Sequence, residues 1–373
     1  MTGARRLTDD ERLDWIQLAR TPRIGPVTFA ELLLRFKTAK AALEGLPELT
    51  ARRSRKAFTI LPRQKAEDEL GRTRQFGADI LCSCEDSYSS LLKHCAPPPP
   101  ILTVLGQDRL LAEGKSIALV GSRDASAAGR KLARDFASGL GVDGYVTVSG
   151  LARGIDGEVH AASLETGTIA VLGGGIDHIY PPQHERLFAA IASQGAIVSE
   201  SPFGHRATAR DFPRRNRIIT GLSRAVIVIE AAERSGSLIS ARTAGEQGRE
   251  VMAVPGSPLD PRAAGTNRLL RDGATLVRNA QDVLEALSGL STMDVRAPAP
   301  PVFEGDWDDS DRTLPEEQIE TVEALLTPYP IGLDDLARAA GLSAGRVAAI
   351  LMELELAGRA ETLTGGLAQK VIA

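Results

Sequence analysis

The segment Asp211-Phe212-Pro213-Arg214-Arg215-Asn216-Arg217 sets one aromatic ring beside three arginines. Guanidinium forks neutralise phosphates and a neighbouring ring stacks on bases, so this pairing suits a single nucleic-acid strand. A second reading stays open, in which Phe212 packs inward and the arginines form a solvated helix face, with Asn216 and Arg217 tied to loop carbonyls. Binding is the preferred reading. Arg206, Arg210 and Arg224 extend the cationic run, in which Asp211 is the only acid. The whole chain has a formal net charge of −4, so its mean field repels polyanions weakly and any nucleic-acid site must be local. Acid is gathered elsewhere, between Glu304 and Glu323, where Arg312 is the only base.

Glycine-rich turns make up the rest of the candidate chemistry. Gly121-Ser122-Arg123 offers close backbone approach, a hydroxyl and a guanidinium, with Ser126 as N-cap of the following helix. Ser149-Gly150 opens a second such loop that runs to Asp156, and Gly173-Gly174-Gly175-Ile176-Asp177 forms a third. Ser235-Gly236-Ser237 and Pro255-Gly256-Ser257 continue the series. Taken singly, each is an ordinary strand-to-helix turn; lying along one sheet edge, they indicate a phosphate-binding crevice. No G-x-G-x-x-G pattern is present and the second strand ends without a ribose-binding acid, so a dinucleotide is disfavoured and no cofactor is expected. Asp156, Asp177 and His160 could carry protons, but a carboxylate capping backbone amides is commoner, and no nucleophilic triad can be assembled. A binding protein is expected rather than an enzyme. Cys82, Cys84 and Cys95 lack metal-ligand spacing, so neither a disulfide framework nor a metal site is expected.

These turns need a scaffold. Apolar strands at Ile117–Val120, Tyr145–Val148, Ile169–Leu172, Ile197–Val198, Ala225–Ile229 and Val251–Val254 alternate with helical patterns. Such runs indicate a doubly wound α/β core, a parallel sheet covered on both faces. Upstream, Thr8-Asp9-Asp10-Glu11 is a capping-box pattern, and Phe29, Leu32, Leu33 and Phe36 give a second helix one apolar face. The turn at Gly25 between them resembles a helix-hairpin-helix or SAM-like element, with simple packing equally open. Helical patterns near Pro315–Leu326, Asp334–Ala340 and Ser343–Leu356, followed by Gly365-Gly366 at a hairpin position, suggest a winged helix. Its candidate recognition helix carries Arg346 but also Glu353 and Glu355, which favours a protein-contact or regulatory role over base reading. The expected division is a helical domain over 1–75, a Rossmann-like DNA-binding domain over 76–290, an acidic Pro-rich linker over 291–312 and a winged helix over 313–373. No run of 18 apolar residues and no signal-peptide pattern occurs, so a cytoplasmic protein without a membrane partner is expected.

Several segments in this order, Ala118–Arg123 (ALVGSR), Val148–Asp156 (VSGLARGID), Thr168–Gly175 (TIAVLGGG), Phe212–Ser223 (FPRRNRIITGLS), Ser235–Ser240 (SGSLIS) and Val254–Gly256 (VPG), resemble the DNA-processing protein A family, DprA or Smf. The resemblance implies an extended Rossmann core that binds and protects single-stranded DNA, forms a homodimer and loads the recombinase RecA during natural transformation. By analogy it places DNA contacts at Ser122, Arg123, Phe212, Arg214, Arg215, Asn216 and Arg217, with Gly150, Gly173 and Gly174 shaping the pocket and Ser235, Gly236 and Ser237 extending its rim. This chain departs from the family pattern at Val159-His160, at His184 and in the lack of prolines between Ala207 and Asp211. The rival expectation is a nucleotide phosphoribohydrolase on the same fold. It is disfavoured because Glu246 lies too far behind the Ser235 turn to serve as the acid such enzymes place close to their glycines.

Overall fold

A computed structural model describes residues 6–51, 59–95, 97–292, 314–363 and 366–371. The chain divides into two compact units: Met1–Leu7 with Glu67–Val295, and Thr8–Ala66 with Arg296–Ala373. The expected linker lies almost wholly outside the described residues, and its first two positions, 291 and 292, belong to a helix.

In the second unit three helices come first, α1 (Asp9–Arg20), α2 (Pro26–Phe36) and α3 (Ala39–Ala51), with α4 (Arg63–Gln75) leading into the larger unit. The capping box forms as expected: the Thr8 hydroxyl accepts from the Glu11 amide while the Glu11 side chain accepts from the Thr8 amide. Trp15 and Phe29 pack with their ring centroids 5.0 Å apart.

The larger unit is one nine-stranded sheet. Its strands are β1 (Ala78–Cys82), β2 (Ile101–Gly106), β3 (Ser116–Val120), β4 (Val146–Ser149), β5 (Thr168–Leu172), β6 (Ala196–Ser199), β7 (Ala225–Val228), β8 (Glu250–Ala253) and β9 (Thr275–Leu276). Short α5 (Ser90–Lys93) and α6 (Arg109–Ala112) precede the main covering helices α7 (Ala127–Val142), α8 (Ile155–Ala162), α9 (Glu185–Gln194), α10 (Asp211–Gly221), α11 (Gly236–Glu246), α12 (Ala264–Arg271) and α13 (Ala280–Thr292). The strand order is β1-β2-β6-β5-β4-β3-β7-β8-β9. Pairing is parallel from β6 to β9, whereas β2 joins β6, and β1 joins β2, antiparallel.

Alternation within a strand explains why β3 reads as continuously apolar. Ile117 and Leu119 face Phe136, Leu140, Ile155 and Val159 on one side, while Ala118 and Val120 face Ile218 and Ile219 on the other. The six expected strands are present within a residue or two, while β1, β2 and β9 were not anticipated. β2 follows Pro97–Pro100, a run that reads as a break, and it is held by antiparallel pairing to β6, not by a crossover helix.

The second unit continues with α14 (Glu316–Leu325), β10 (Ile331–Gly332), α15 (Leu333–Ala340), α16 (Ala344–Leu356), β11 (Ala360–Leu363) and β12 (Leu367–Lys370), a winged helix with sheet order β10-β12-β11. Gly365 of the expected hairpin lies outside the described residues. One face of α16 places Val347, Ile350, Leu351 and Leu354 in the winged-helix core. Its last turns meet α2 and the turn before it: Glu353 pairs with Arg35 at 3.6 Å, the Thr28 hydroxyl donates to Glu355 at 2.8 Å, and Arg23 donates to the Leu356 carbonyl at 3.1 Å. A DNA-reading winged helix lays this helix in a groove. Here its C-terminal half is engaged by the first helices of the same unit.

This contact carries a pH signature. Burial pushes Glu31 on α2 up from 4.5 to about 8, and the Glu355 carboxylate adds to the shift. A folded-state value above the unfolded one means stability that is complete below about pH 4.5 and is lost as pH rises through 8. Glu31→Gln is expected to flatten that loss. Calorimetric melts of both proteins between about pH 5 and 8.5 check it, and parallel curves would contradict the assignment.

Candidate nucleic-acid interface

Strands β3 to β6 step to one side of β3, whereas β7 to β9 step to the other, so the sheet reverses between β3 and β7. Loops leaving the carboxyl ends of such a pair diverge and leave a crevice. An open groove of about 860 Å³ occupies this place, lined by Gly121, Ser122 and Arg123 after β3, by Ala232 and Arg234 after β7, and by parts of α10 and α11.

The β3 loop is held close. A Cβ on Gly121 would fall 2.5 Å from Ile155, so only glycine lets the chain pass. The Ser122 hydroxyl accepts from the Asp124 amide at 3.1 Å, and the Ser122 carbonyl accepts from the Ile155 amide at 3.2 Å. Arg123 remains exposed, its guanidinium 5.2 Å from the Phe212 ring centroid. At the facing wall, the Ser235 hydroxyl caps the Ser237 amide, and the Ser237 hydroxyl donates to the Gly121 carbonyl at 2.9 Å. Gly236 has open space where a Cβ would stand. The start of α11 therefore faces the groove. At the start of α7 the Ser126 hydroxyl accepts from the Gly129 amide at 2.9 Å as the expected N-cap, while the Glu230 carboxylate accepts from the Ser126 amide at 2.9 Å and from its hydroxyl.

The arginine segment divides into inward and outward members. Arg215, expected at a phosphate, is buried, and its guanidinium donates to the carbonyls of Gly150, at 2.6 Å, and Val171. Burial lowers it to about 10, with Asp156 opposing, so it stays charged at neutral pH. Arg217, also expected at a phosphate, is a partly buried partner of Glu200 and reaches the Pro97 carbonyl at 3.4 Å. Both guanidiniums are internal ties. The division has a simple cause: α10 packs along the sheet, so its neighbouring arginines point to different sides. Arg214 is exposed but does not line the groove, whereas Asn216 does. Arg224, just ahead of β7, donates to the Gly114 carbonyl at 2.6 Å near the opposite end of the strands, so the basic run is not one patch.

The three glycines expected to shape the pocket do so from below and are not among its lining residues. A Cβ on Gly150 would lie 2.4 Å from the Arg215 guanidinium, one on Gly173 would lie 3.4 Å from the Phe212 ring, and one on Gly174 would press on the His205 carbonyl at 3.0 Å. They let α10 and its approach loop settle.

The candidate proton carriers are likewise structural. Asp156 accepts from the amides of Gly150 and Ala152 at 3.1 and 3.3 Å; burial raises its carboxyl while Arg215 opposes the rise. Burial drives His160 down to about 3, leaving a neutral ring that accepts from the Leu151 amide at 3.3 Å and contacts the Thr168 hydroxyl at 2.7 Å. Asp177 accepts from the Gly204 amide at 2.7 Å. His160 on the Leu151 amide and His184 on its carbonyl, at 3.0 Å, flank Leu151 at φ 58°, a conformation a leucine rarely adopts.

Among the lining residues that sequence reasoning did not single out are Tyr180 and Arg234. Arg234 adjoins Ser235, and Tyr180 sits beyond the third glycine loop. Both were accessible as chemistry but had no pattern to single them out.

A parallel sheet that reverses at an open, arginine-bearing groove defines an extended Rossmann-like protein, here joined to a winged-helix unit. Comparison with known proteins narrows this. Residues 79–288 match the family model of DNA recombination-mediator protein A, 9–71 that of the DprA-like N-terminal HHH domain, and 309–366 that of the DprA winged helix domain. The chain belongs to the DprA/Smf family. It is 39% identical over 322 residues to Protein Smf of Escherichia coli strain K12, covering 85% of this chain and 84% of that one. With DNA processing protein DprA of Bacillus subtilis strain 168 it shares 41% over 220 residues, 58% of this chain and 74% of the relative. The X-ray structure of DprA from Streptococcus pneumoniae matches with a TM-score of 0.62 at 31% identity, covering 75% of this chain and 98% of that one. DNA processing protein A from Helicobacter pylori, a structure described for its single-stranded DNA binding mode, matches with a TM-score of 0.53 at 28% identity over 57% of this chain and 96% of that one. No described helix is long and apolar enough to cross a membrane.

Proposed function

We propose that this chain binds single-stranded DNA in the groove between β3 and β7. The observation that carries the reading is the exposed Arg123 guanidinium lying against Phe212 at the mouth of an open crevice. Cation and ring side by side serve phosphate and base at once, and an unpaired strand presents both while a duplex hides its bases. Arg123, Arg234, Asn216 and the Ser235-Gly236-Ser237 turn are the contacts of this reading, with Ser122 shaping the loop. The single-stranded DNA binding mode described for the Helicobacter pylori relative supports it. In the finer part of the reading, the chain protects incoming strands, acts as a homodimer and passes the strand to RecA in the cytoplasm. Asp156, His160 and Asp177, the candidate proton carriers, are each engaged in holding backbone.

Fluorescence anisotropy with labelled single- and double-stranded oligonucleotides tests the proposal. Tighter binding of the single strand is expected, with affinity falling on the order of tenfold between about 50 and 200 mM salt for a few phosphate contacts. Equal affinity for both forms, or binding indifferent to salt, would count against it.

A further inference from the structure

We infer that Tyr180 supplies the open ring face on which an unpaired base stacks, with Phe212 acting as the pillar behind it. The inference rests on the proposed binding of single-stranded DNA and names how that site takes a base.

Phe212 is only partly accessible and is surrounded: Arg123 lies 5.2 Å from its ring centroid, Arg215 6.0 Å, and Gly173 approaches closely enough that a Cβ there would stand 3.4 Å from the ring. Tyr180 leans on it at a centroid distance of 5.6 Å with the planes 47° apart. That spacing is too small for a base to enter between the two rings, since a planar insertion separates them by about twice an aromatic contact distance. Tyr180 itself is 47% exposed and lines the groove. A large aromatic left in water at a cavity mouth, and held in orientation by a second ring, meets the requirements of a stacking platform: rigid, apolar on its face and indifferent to base identity. Arg123, Phe212 and Tyr180 thus form one array, cationic at one end for phosphate and aromatic at the other for a base.

The platform is separable from the phosphate contacts by giving the protein a strand without bases. Binding of a labelled thymidine oligomer and of an abasic oligomer of equal length is measured for the full chain, Tyr180→Ala, Tyr180→Leu and Tyr180→Phe. The expected result is a loss on the order of tenfold for the thymidine strand with Tyr180→Ala and Tyr180→Leu, no change for the abasic strand, and recovery with Tyr180→Phe. Equal loss on both strands, or no loss on either, overturns the platform while leaving DNA binding standing. Failure of the unaltered chain to bind either strand overturns the binding proposal itself, and the platform with it. Tyr180→Leu keeps an apolar side chain of substantial size, so a folding defect confined to Tyr180→Ala cannot imitate the pattern.

Discussion

Arg215→Ala is expected to destabilise the larger unit by about 2–5 kcal/mol, the order of magnitude for two buried carbonyls left without their charged donor and a large side chain removed from a packed interior. The guanidinium faces Asp156, holds the carbonyls of Gly150 and Val171, and fills the space that Gly150 leaves by lacking a Cβ. Deleting it leaves two buried carbonyls without their donor and opens a cavity beside Gly150. Arg215→Lys should recover part of the loss, because a single nitrogen, Nη1, makes both carbonyl bonds and an ammonium offers more than one donor from one atom. Urea unfolding followed by circular dichroism reads the effect as a lowered midpoint. An unshifted midpoint would show that Arg215 is not the tie described.

The second large effect falls on binding. Phe212→Ala removes the ring on which both Arg123 and Tyr180 rest. A base stacked on Tyr180 contributes about 1–3 kcal/mol, and without the pillar that holds Tyr180 in place this contribution goes, so a loss of roughly 5- to 150-fold in single-strand affinity is expected. Combining it with Arg123→Ala should cost less than the sum of the two, since each group orients the other. A strictly additive double variant would mean that cation and ring act apart. Because the ring also covers Gly173, the melting temperature must be measured beside the affinity.

Period and composition made the core legible. Strands apolar at consecutive positions announced the covered parallel sheet, and Thr8 with Glu11 announced the start of the first helix. Pairing partners of antiparallel strands are not written in local pattern, which is why β1 and β2 escaped notice. Residues 8–66 and 296–373 share one compact unit, a contact made across the length of the chain that local pattern does not encode.

At the site, residue types were readable and directions were not. Three neighbouring arginines look alike in sequence, yet helical geometry turns Arg215 into the core, Arg217 toward Glu200 and Arg214 to solvent. Gly150 and Gly173 lie beneath the crevice as clearance for Arg215 and Phe212. Tyr180 could not be weighed without its neighbour, because its meaning comes from a ring 32 positions away in sequence.

The division of the arginines into outward grip and inward tie is tested most directly by comparing Arg123→Ala with Arg217→Ala, each measured for single-strand affinity and melting temperature. Arg123→Ala should bind at least about tenfold more weakly with its melting temperature unchanged, as expected for loss of a charged contact. Arg217→Ala should melt earlier yet bind normally while folded. The reverse pattern, with affinity surviving the loss of Arg123 and failing with Arg217, would contradict the groove.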